Sequence, residues 1–325
     1  MTAILSLLFA FIIFLLFLSL TIVWLTRPVF FIDKDSVSIS SEEEKLKEHV
    51  HFLCNTPAPR NYQHPTSMQL VVQYIQDKFS EYGYQIIKQQ YEADGMYYSN
   101  VIAFYGNEGS EERVVIGAHY DVFGDYPGAD DNASGIAGLL EIARLLQKYQ
   151  PKLPYAIELV AYANEERPFF KTDKMGSAIH AQSLLQEDTS IKVMVCLEMI
   201  GYFSDEINSQ GYPLPFMDLL YPNRGNYISL VGSFGNHMTI GQFKSRMKEA
   251  SSLPVYSINA PTGIKGLDSS DHRNYWDVGY NAIMVTNTSY YRNPNYHTAD
   301  DTPDTLDYER MKHTVDGVYW AVINL

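Results

Sequence analysis

Five short apolar runs rich in β-branched residues recur between residues 113 and 288 and are separated by segments with other patterns. They read RVVIGAH, YAIELVAYAN, IKVMVCLEM, NYISLVGS and NAIMVTNT. Between the first two runs, apolar residues recur at helical spacing at Ile136, Leu139, Leu140, Ala143 and Leu146. Buried strands that alternate with helices predict an α/β fold, a three-layer α/β/α sandwich with a mixed, mostly parallel central sheet.

An uncharged apolar segment, AILSLLFAFIIFLLFLSLTIVWL, occupies the amino terminus from Ala3 to Leu25. As a helix it would be about 35 Å long, which is enough to cross a bilayer. A cleavable signal peptide would carry a basic leading segment, a shorter apolar core and a small-residue cleavage site, and none of these is visible. A buried core helix is disfavoured because every face is apolar. We therefore predict a transmembrane anchor at residues 1–26, a linker at 27–42 and one globular domain at 43–325.

Composition narrows the classes of partner. The chain has 46% hydrophobic and 14% aromatic residues, which is typical of a protein with a sizeable core. Its net charge of −14 argues against nucleic acid as the main partner, because a surface that follows phosphates must be basic. Cys54 and Cys196 lack the spacing of a zinc ribbon or a redox pair, so they are expected to be buried apolar side chains.

Polar residues follow the strand-like runs at the points where each run ends. His119 ends its run, Glu165 and Glu166 follow theirs, Glu198 ends another, and His297 lies in the loop after the last. In sheets of this class, ligands gather beyond the carboxyl ends of the strands. We therefore expect these side chains to converge on one rim of the sheet.

The loop GAHYDVFGDYPGADDNASGIAGLL adds Asp131 to this set, just before a predicted helix. Two imidazoles and three carboxylates suit zinc or a similar transition ion. Five ligands exceed the need of one tetrahedral ion, but a bridging carboxylate would let two ions share them. Paired ions about 3.5 to 4 Å apart are a known arrangement for hydrolysis.

Metal-assisted hydrolysis also needs a proton acceptor, and the adjacent carboxylates of Glu165 and Glu166 could divide the work. One would bind metal while the other would take the proton from water and return it to the leaving amine. Asp121, two residues after His119, could orient that imidazole. Each residue also has an ordinary interpretation alone: DDNASG resembles a helix amino terminus, and an isolated histidine is usually a hydrogen-bonded structural residue.

Taken in order, the motifs resemble those of the M28 family of zinc aminopeptidases. That family carries an HxD motif, an ADDxASG motif, an EE pair, a single acidic residue after a strand, and a late HTxxD motif. Here these read HYD, ADDNASG, NEE, CLEM and YHTADDTPDTLDYERM, and the resemblance extends from about Glu43 to the end of the chain.

The resemblance implies two zinc ions held by two overlapping groups: His119, Asp131 and Glu198, and Asp131, Glu166 and His297. Asp131 would bridge the two ions. Glu165 would be the general base, and Tyr296 would resemble the tyrosine that hydrogen-bonds the developing oxyanion in some members. Glu198 stands where many members have Asp, which leaves the identity of the metal open.

The resemblance predicts a metallo-exopeptidase that removes amino-terminal residues from peptides. Glutaminyl cyclases resemble the family but use one zinc ion, and some relatives remove carboxyl-terminal residues. A third possibility is an inactive, membrane-anchored binding domain, which would be expected to have lost metal ligands. The resemblance implies an extracytoplasmic domain, whereas Arg27 after the span favours the cytoplasmic side, so the orientation stays open, as does the oligomeric state.

Three other groups of residues have predicted places. The segments SDEINSQGYPLPF and YYRNPNY are expected to line the substrate pocket. Asp271 and His272, in SSDHRNYWDVGY, are expected to support the wall of the site and not to bind metal. Asp300 and Asp301 are expected to be loop or cap residues. The remaining histidines are treated as structural: His49, His51, His64, His180, His237 and His313.

Overall fold

The computed structural model describes residues 2–28, 39–107, 109–261, 264 and 266–325, so most of the predicted linker at 27–42 lies outside the described residues. The strands in the described part of the chain are β1 (Ile86–Ala93), β2 (Met96–Tyr105), β3 (Glu112–His119), β4 (Ala156–Tyr162), β5 (Ser190–Glu198), β6 (Ile228–Ser233), β7 (Val255–Ala260) and β8 (Ala282–Thr286). The α-helices there are α1 (Thr2–Thr26), α2 (Glu43–Cys54), α3 (Pro65–Glu81), α4 (Gly135–Tyr149), α5 (Gly176–Gln186), α6 (His237–Ala250), α7 (His272–Asp277) and α8 (Tyr308–Ile323).

All of these strands form one sheet with the order β1-β2-β4-β3-β5-β8-β6-β7. The pairs β3/β4, β3/β5, β5/β8 and β6/β7 are parallel, whereas β1/β2, β2/β4 and β6/β8 are antiparallel. The predicted mixed, mostly parallel sheet is therefore confirmed. The five predicted strand runs correspond to β3, β4, β5, β6 and β8, while β1, β2 and β7 were not predicted.

Side chains alternate between the two faces of the sheet and enter separate cores. In β3, Val114 and Ile116 pack into the larger core with α2, α3, α4, α6 and α8. Val115, between them, packs into the smaller core, to which α5 and α7 contribute Leu184 and Tyr275. Helices thus cover both faces, and the predicted three-layer sandwich is confirmed.

Helix α1 stands apart from these cores. Among the described helices it is the one long and apolar enough, from Leu5 to Trp24, to span a membrane, and an amino-terminal signal sequence would share that length and composition. Its side chains from Leu5 to Leu20 are exposed. It contacts β7, one of the two edge strands of the sheet.

Helix starts follow local rules of capping. The predicted start of α2 near Ser41 lies close to the observed first residue, Glu43. Pro65 is the first residue of α3, where its missing N–H costs no helical hydrogen bond. Asp307 caps α8, because its side chain accepts a hydrogen bond from the backbone N–H of Arg310.

Candidate metal centre

The carboxyl ends of four neighbouring strands, β4, β3, β5 and β8, meet at one edge of the sheet. His119 is the last residue of β3, and Glu198 is the last residue of β5. Glu165 and Glu166 follow β4 by a few residues, and His297 lies in the loops after β8. The predicted convergence on one rim therefore follows directly from the parallel pairing of these strands.

Asp131 lies between the two histidines and presents one oxygen to each. Its Oδ1 is 3.3 Å from Nε2 of His119, and its Oδ2 is 3.0 Å from Nε2 of His297. Glu198 Oε2 is 3.4 Å from the first histidine, and Glu166 Oε1 is 2.9 Å from the second. The structure thus brings together two groups of possible ligand atoms, each within 4.8 Å of one another, and Asp131 belongs to both.

The loop that carries Asp131 is held by the carboxylate of Asp301, which the sequence analysis predicts only as a loop or cap residue. Asp301 is buried, and its carboxylate accepts the backbone N–H groups of Asp130 and Asp131 at 2.9 and 3.1 Å. Asn132 continues the restraint, because its side-chain oxygen accepts the N–H groups of Gly135 and Met199. These bonds fix the entry into α4 as well as the position of the central carboxylate.

Asp130, the first residue of the acidic pair, faces away from the histidines. Its Oδ1 accepts the N–H groups of Gly201 and Tyr202, and its Oδ2 accepts the side-chain amides of Asn287 and Asn293 at 2.7 and 2.8 Å. These four donors, together with the Ser134 hydroxyl at 3.5 Å from Oδ1, satisfy this buried carboxylate completely. The two neighbouring aspartates therefore differ in role, because one is an internal crosslink and the other is directed at the cluster.

Asp121 contacts both His119 and the Glu165–Glu166 pair. Its Oδ1 is 3.4 Å from Nδ1 of His119, and its backbone oxygen is 3.2 Å from the same nitrogen. Its two carboxylate oxygens also accept the backbone N–H groups of Glu165 and Glu166, each at 3.1 Å. The contact with His119 matches the predicted orienting position, and the contact with the glutamate pair is an addition that sequence reasoning missed.

The chemistry of the cluster fits a cation. With Nδ1 of His119 facing Asp121, its buried Nε2 has no hydrogen-bond partner among the described residues. Burial raises the pKa of Glu165 well above its usual range, and it raises the pKa of Glu166 to about 7 with help from the charge of Asp131. An unpartnered imidazole nitrogen beside crowded, buried carboxylates is the donor set that zinc takes.

His297 is clamped between two aromatic rings. Phe123 stacks on one side with ring centroids 4.1 Å apart and an angle of 9°, and Tyr296 stacks on the other at 3.7 Å and 17°. Burial and the neighbouring carboxylates raise the pKa of Tyr296, so its hydroxyl keeps its proton and can donate. Phe123 was not singled out from the sequence, although it lies only four residues after His119.

An open cavity of about 410 Å³ begins at the cluster and extends along the sheet. Glu165, Glu166 and Tyr296 line its inner end. Its walls are mainly apolar and aromatic: Tyr212, Met217, Tyr221, Val231, Ile258 and Met284. Of the predicted lining segments, 211–213 and 290–291 also contribute, whereas 204–210, 214–216 and 292–295 do not border this cavity.

Ser270 is a further residue of the site that sequence reasoning missed. Its hydroxyl donates to Glu198 Oε2 at 2.6 Å and fixes that carboxylate near His119. Asp271 and His272 are both fully buried beside it, and His272 Nε2 is 2.8 Å from the carbonyl oxygen of Leu267. Asp271 and His272 themselves do not line the cavity, which Leu267 and Ser269 of the same segment border, so their supporting role stays a prediction; the SSDH motif offered the signal for the serine.

The chain is similar to proteins of one family. The sequence profile described as Peptidase family M28 matches residues 100–322. The uncharacterized protein YfbL of Escherichia coli (strain K12) is 43% identical over 289 residues, which cover 86% of this chain and 88% of that protein. Leucine aminopeptidase 1 of Fusarium vanettenii is 27% identical over 214 residues, or 62% of this chain and 49% of that enzyme, so the match spans about half of its length.

Solved structures share the fold. LapB from Legionella pneumophila has a TM-score of 0.67 at 24% identity, covering 87% of this chain and 72% of its own. A glutaminyl cyclase from Fimbriiglobus ruber also has a TM-score of 0.67, at 14% identity, covering 91% of this chain and 100% of its own. At these identities the likeness is one of fold.

Proposed function

Because the chain belongs to peptidase family M28, and is therefore related to hydrolases, we propose that it is a two-zinc aminopeptidase that removes amino-terminal residues from peptides. The observation that carries the proposal is the position of Asp131. Its two oxygens face two separate histidines, each of which has a second carboxylate of its own within 3.4 Å. A bridging carboxylate of this kind is what a pair of metal ions requires.

His119, Asp131 and Glu198 would hold one ion, and Asp131, Glu166 and His297 would hold the other. Bound zinc would supply Lewis-acid polarisation of the scissile carbonyl and would acidify water at the site. Three residues outside the ligand groups position the ligands: Asp121 faces His119, Ser270 donates to Glu198, and Asp301 holds the loop of Asp131. Contacts of this type orient ligands and tune their affinity for metal.

Glu165 would be the general base. It lies outside both ligand groups but lines the same end of the cavity, and its backbone N–H is held by Asp121. Its carboxylate would take a proton from the attacking water and pass it to the leaving amine. Tyr296, which keeps its proton, would donate a hydrogen bond to the oxyanion that develops on the substrate.

The cavity favours a peptide that presents a free amino terminus and an apolar first side chain. Carboxylates at its inner end would attract an ammonium group. Beyond them, apolar and aromatic walls line about 410 Å³, which is room for a large side chain.

We also propose that α1 remains in the mature protein as a single-pass anchor for the catalytic domain at residues 43–325. Its length and composition support this role, as do its contacts with the domain through Trp24 and Arg27. By family resemblance the domain would be extracytoplasmic. A reporter fused to the carboxyl terminus, active on one side of the membrane only, tests the orientation.

Hydrolysis by the purified full-length chain tests the proposed reaction. L-leucine p-nitroanilide should be cleaved and its N-acetylated form should not, because acetylation removes the ammonium group. Chelation should abolish cleavage, and added zinc should restore it. Release of ammonia from a peptide with amino-terminal glutamine, without cleavage of the anilide, would instead identify a cyclase, and loss of a carboxyl-terminal residue would identify a carboxypeptidase.

A further inference from the structure

The segment from Gly211 to Tyr221, between β5 and β6, has two different faces. On its inner face, Tyr212, Met217 and Tyr221 line the cavity. On its outer face, large apolar side chains are exposed to an unusual degree: Leu214 at 43%, Phe216 at 75%, Leu219 at 77% and Leu220 at 56%. Such an exposed apolar cluster on a folded domain is typical of a surface that contacts a membrane or another protein.

Two more exposed apolar residues lie nearby: Phe234 in the short turn before α6, and Met238 in the first turn of α6. The end of α1 connects them to the segment. Trp24 contacts His237, next to Met238, with ring centroids 4.6 Å apart. We call this set the apolar patch: Leu214, Phe216, Leu219, Leu220, Phe234 and Met238.

Arg27 makes the second connection between the end of α1 and this surface. Its Nη1 donates to the carbonyl oxygen of Leu220 at 2.8 Å, and its guanidinium lies 5.1 Å from the centre of the Tyr221 ring. Tryptophan and arginine at the end of a membrane span are expected at the level of the lipid headgroups. If α1 spans the bilayer to Trp24, the residues that touch Trp24 and Arg27 must lie at that level too.

Charge also favours a lipid surface on this side. The whole chain carries −14, yet basic residues gather here. Burial lowers the pKa of Lys244 of α6 to about 8, and the positive charges of Lys248 and Arg27 lower that pKa as well. Lys244 is buried and donates to Ser257, whereas Lys248 is exposed. Asp218 is the exposed acidic residue of the segment 211–221. Basic residues beside a membrane span are attracted by anionic headgroups.

We infer that the apolar patch docks on the surface of the bilayer that α1 enters, so that the outer face of the segment 211–221 lies in the lipid interface. Apolar side chains inserted at this boundary are stabilised by the removal of their surface from water. The inner face of the same segment then forms a cavity wall that is supported by the membrane. This inference rests on the proposed anchor and is independent of the proposed reaction.

Lipid-side quenching in the full-length chain tests the docking. A cysteine is introduced by Phe216→Cys, labelled with an environment-sensitive nitrobenzoxadiazole dye, and the protein is reconstituted in phosphatidylcholine–phosphatidylglycerol vesicles that contain doxyl lipid. Tyr97→Cys is the matched control. Tyr97 is also highly exposed, at 67%, but it lies on β2, near the edge of the sheet that is farthest from β7. Phe14→Cys, in the middle of α1, reports insertion of the anchor itself. The parent chain, with only Cys54 and Cys196, gives the background of labelling.

The label at position 216 should be quenched several-fold more than the label at position 97, with blue-shifted emission. Quenching at position 14 but not at position 216 would overturn the docking while leaving the anchor in place. Loss of the label at position 14, or no quenching there, would overturn the anchor and the docking together. Activity on L-leucine p-nitroanilide, measured on the same samples, separates either failure from a failure of the proposed reaction.

Discussion

Two buried clusters of this protein pair histidine with carboxylate, and they differ in how completely their atoms are satisfied. In the first, His180 Nε2 is 2.9 Å from Glu158 Oε1, and its Nδ1 is 2.5 Å from the hydroxyl of Tyr275, which in turn lies 2.7 Å from the Tyr162 hydroxyl. We call this the closed cluster. In the candidate metal centre, by contrast, His119 Nε2 has carboxylates around it but no hydrogen-bond partner within the described part of the chain.

The difference teaches that burial alone does not mark a functional site. Arg113 and His180 flank the single carboxylate of the closed cluster, and although burial opposes it, they lower the pKa of Glu158. In the metal centre three carboxylates and Glu165 surround two histidines, and burial raises the pKa of Glu198. An excess of buried negative charge beside an imidazole nitrogen is the chemistry of a site suited to a cation.

The largest expected effect comes from Glu165, the proposed proton acceptor. Glu165→Gln should lower kcat on L-leucine p-nitroanilide by about 10²- to 10⁴-fold, because the amide cannot accept the proton from water. Metal content should stay unchanged, since Glu165 lies outside both ligand groups. Stopped assays at saturating substrate, with metal analysis of the same sample, provide the check. Equal turnover in the variant would remove Glu165 from the mechanism.

A smaller effect is expected when the support of Asp131 is weakened. Asp301→Asn replaces one acceptor of the N–H groups of Asp130 and Asp131 by an NH₂ group, so the loop should shift and metal affinity should fall by about 10- to 100-fold. Titration against a competing chelator measures this loss. The matched control is Asp300→Asn, at the neighbouring exposed residue. If both variants bind metal equally well, Asp301 does not position the site.

Disruption of the closed cluster should act on stability and not on metal. Glu158→Gln keeps the shape of the side chain but removes the charge that His180 and Arg113 share, so the free energy of unfolding should fall by about 1 to 3 kcal/mol. Urea denaturation in detergent measures the change. Glu112→Gln, at a surface pair with Lys192, should cost less than about 1 kcal/mol. Loss of metal from the Glu158 variant would contradict the distinction between the clusters.

The smallest expected effect concerns His49, a buried histidine of α2 that hydrogen-bonds the Tyr74 hydroxyl at 2.7 Å. Burial lowers its pKa from 6.5 to about 3. The unfolded chain therefore binds a proton between these values that the folded chain does not, so the free energy of unfolding should fall as the pH drops from 6.5 toward 3. His49→Gln should flatten this slope by at most about 1.4 kcal/mol per pH unit. Parallel slopes in urea titrations of both proteins would show that His49 does not contribute.

Much of the candidate site could be predicted because several of the proposed ligands lie at strand ends, where local patterns mark them. His119 and Glu198 terminate apolar runs, and the parallel pairing of their strands brings the two residues to the same rim of the sheet. The support of Asp130 could not be predicted, because its partners Asn287 and Asn293 are 157 and 163 residues away in ordinary loops. The edge strand β1 was missed because it is largely exposed, so it lacks the continuous apolar run of a buried strand.

The metal content of the purified chain tests the central claim most directly. Zinc is counted per chain by mass spectrometry after dialysis, in the parent protein and in Asp131→Asn, with circular dichroism to confirm that the variant is folded. A bridging Asp131 predicts about two zinc ions per parent chain and the loss of both from the folded variant. One ion per parent chain, or unchanged metal content in the variant, would contradict the two-metal centre.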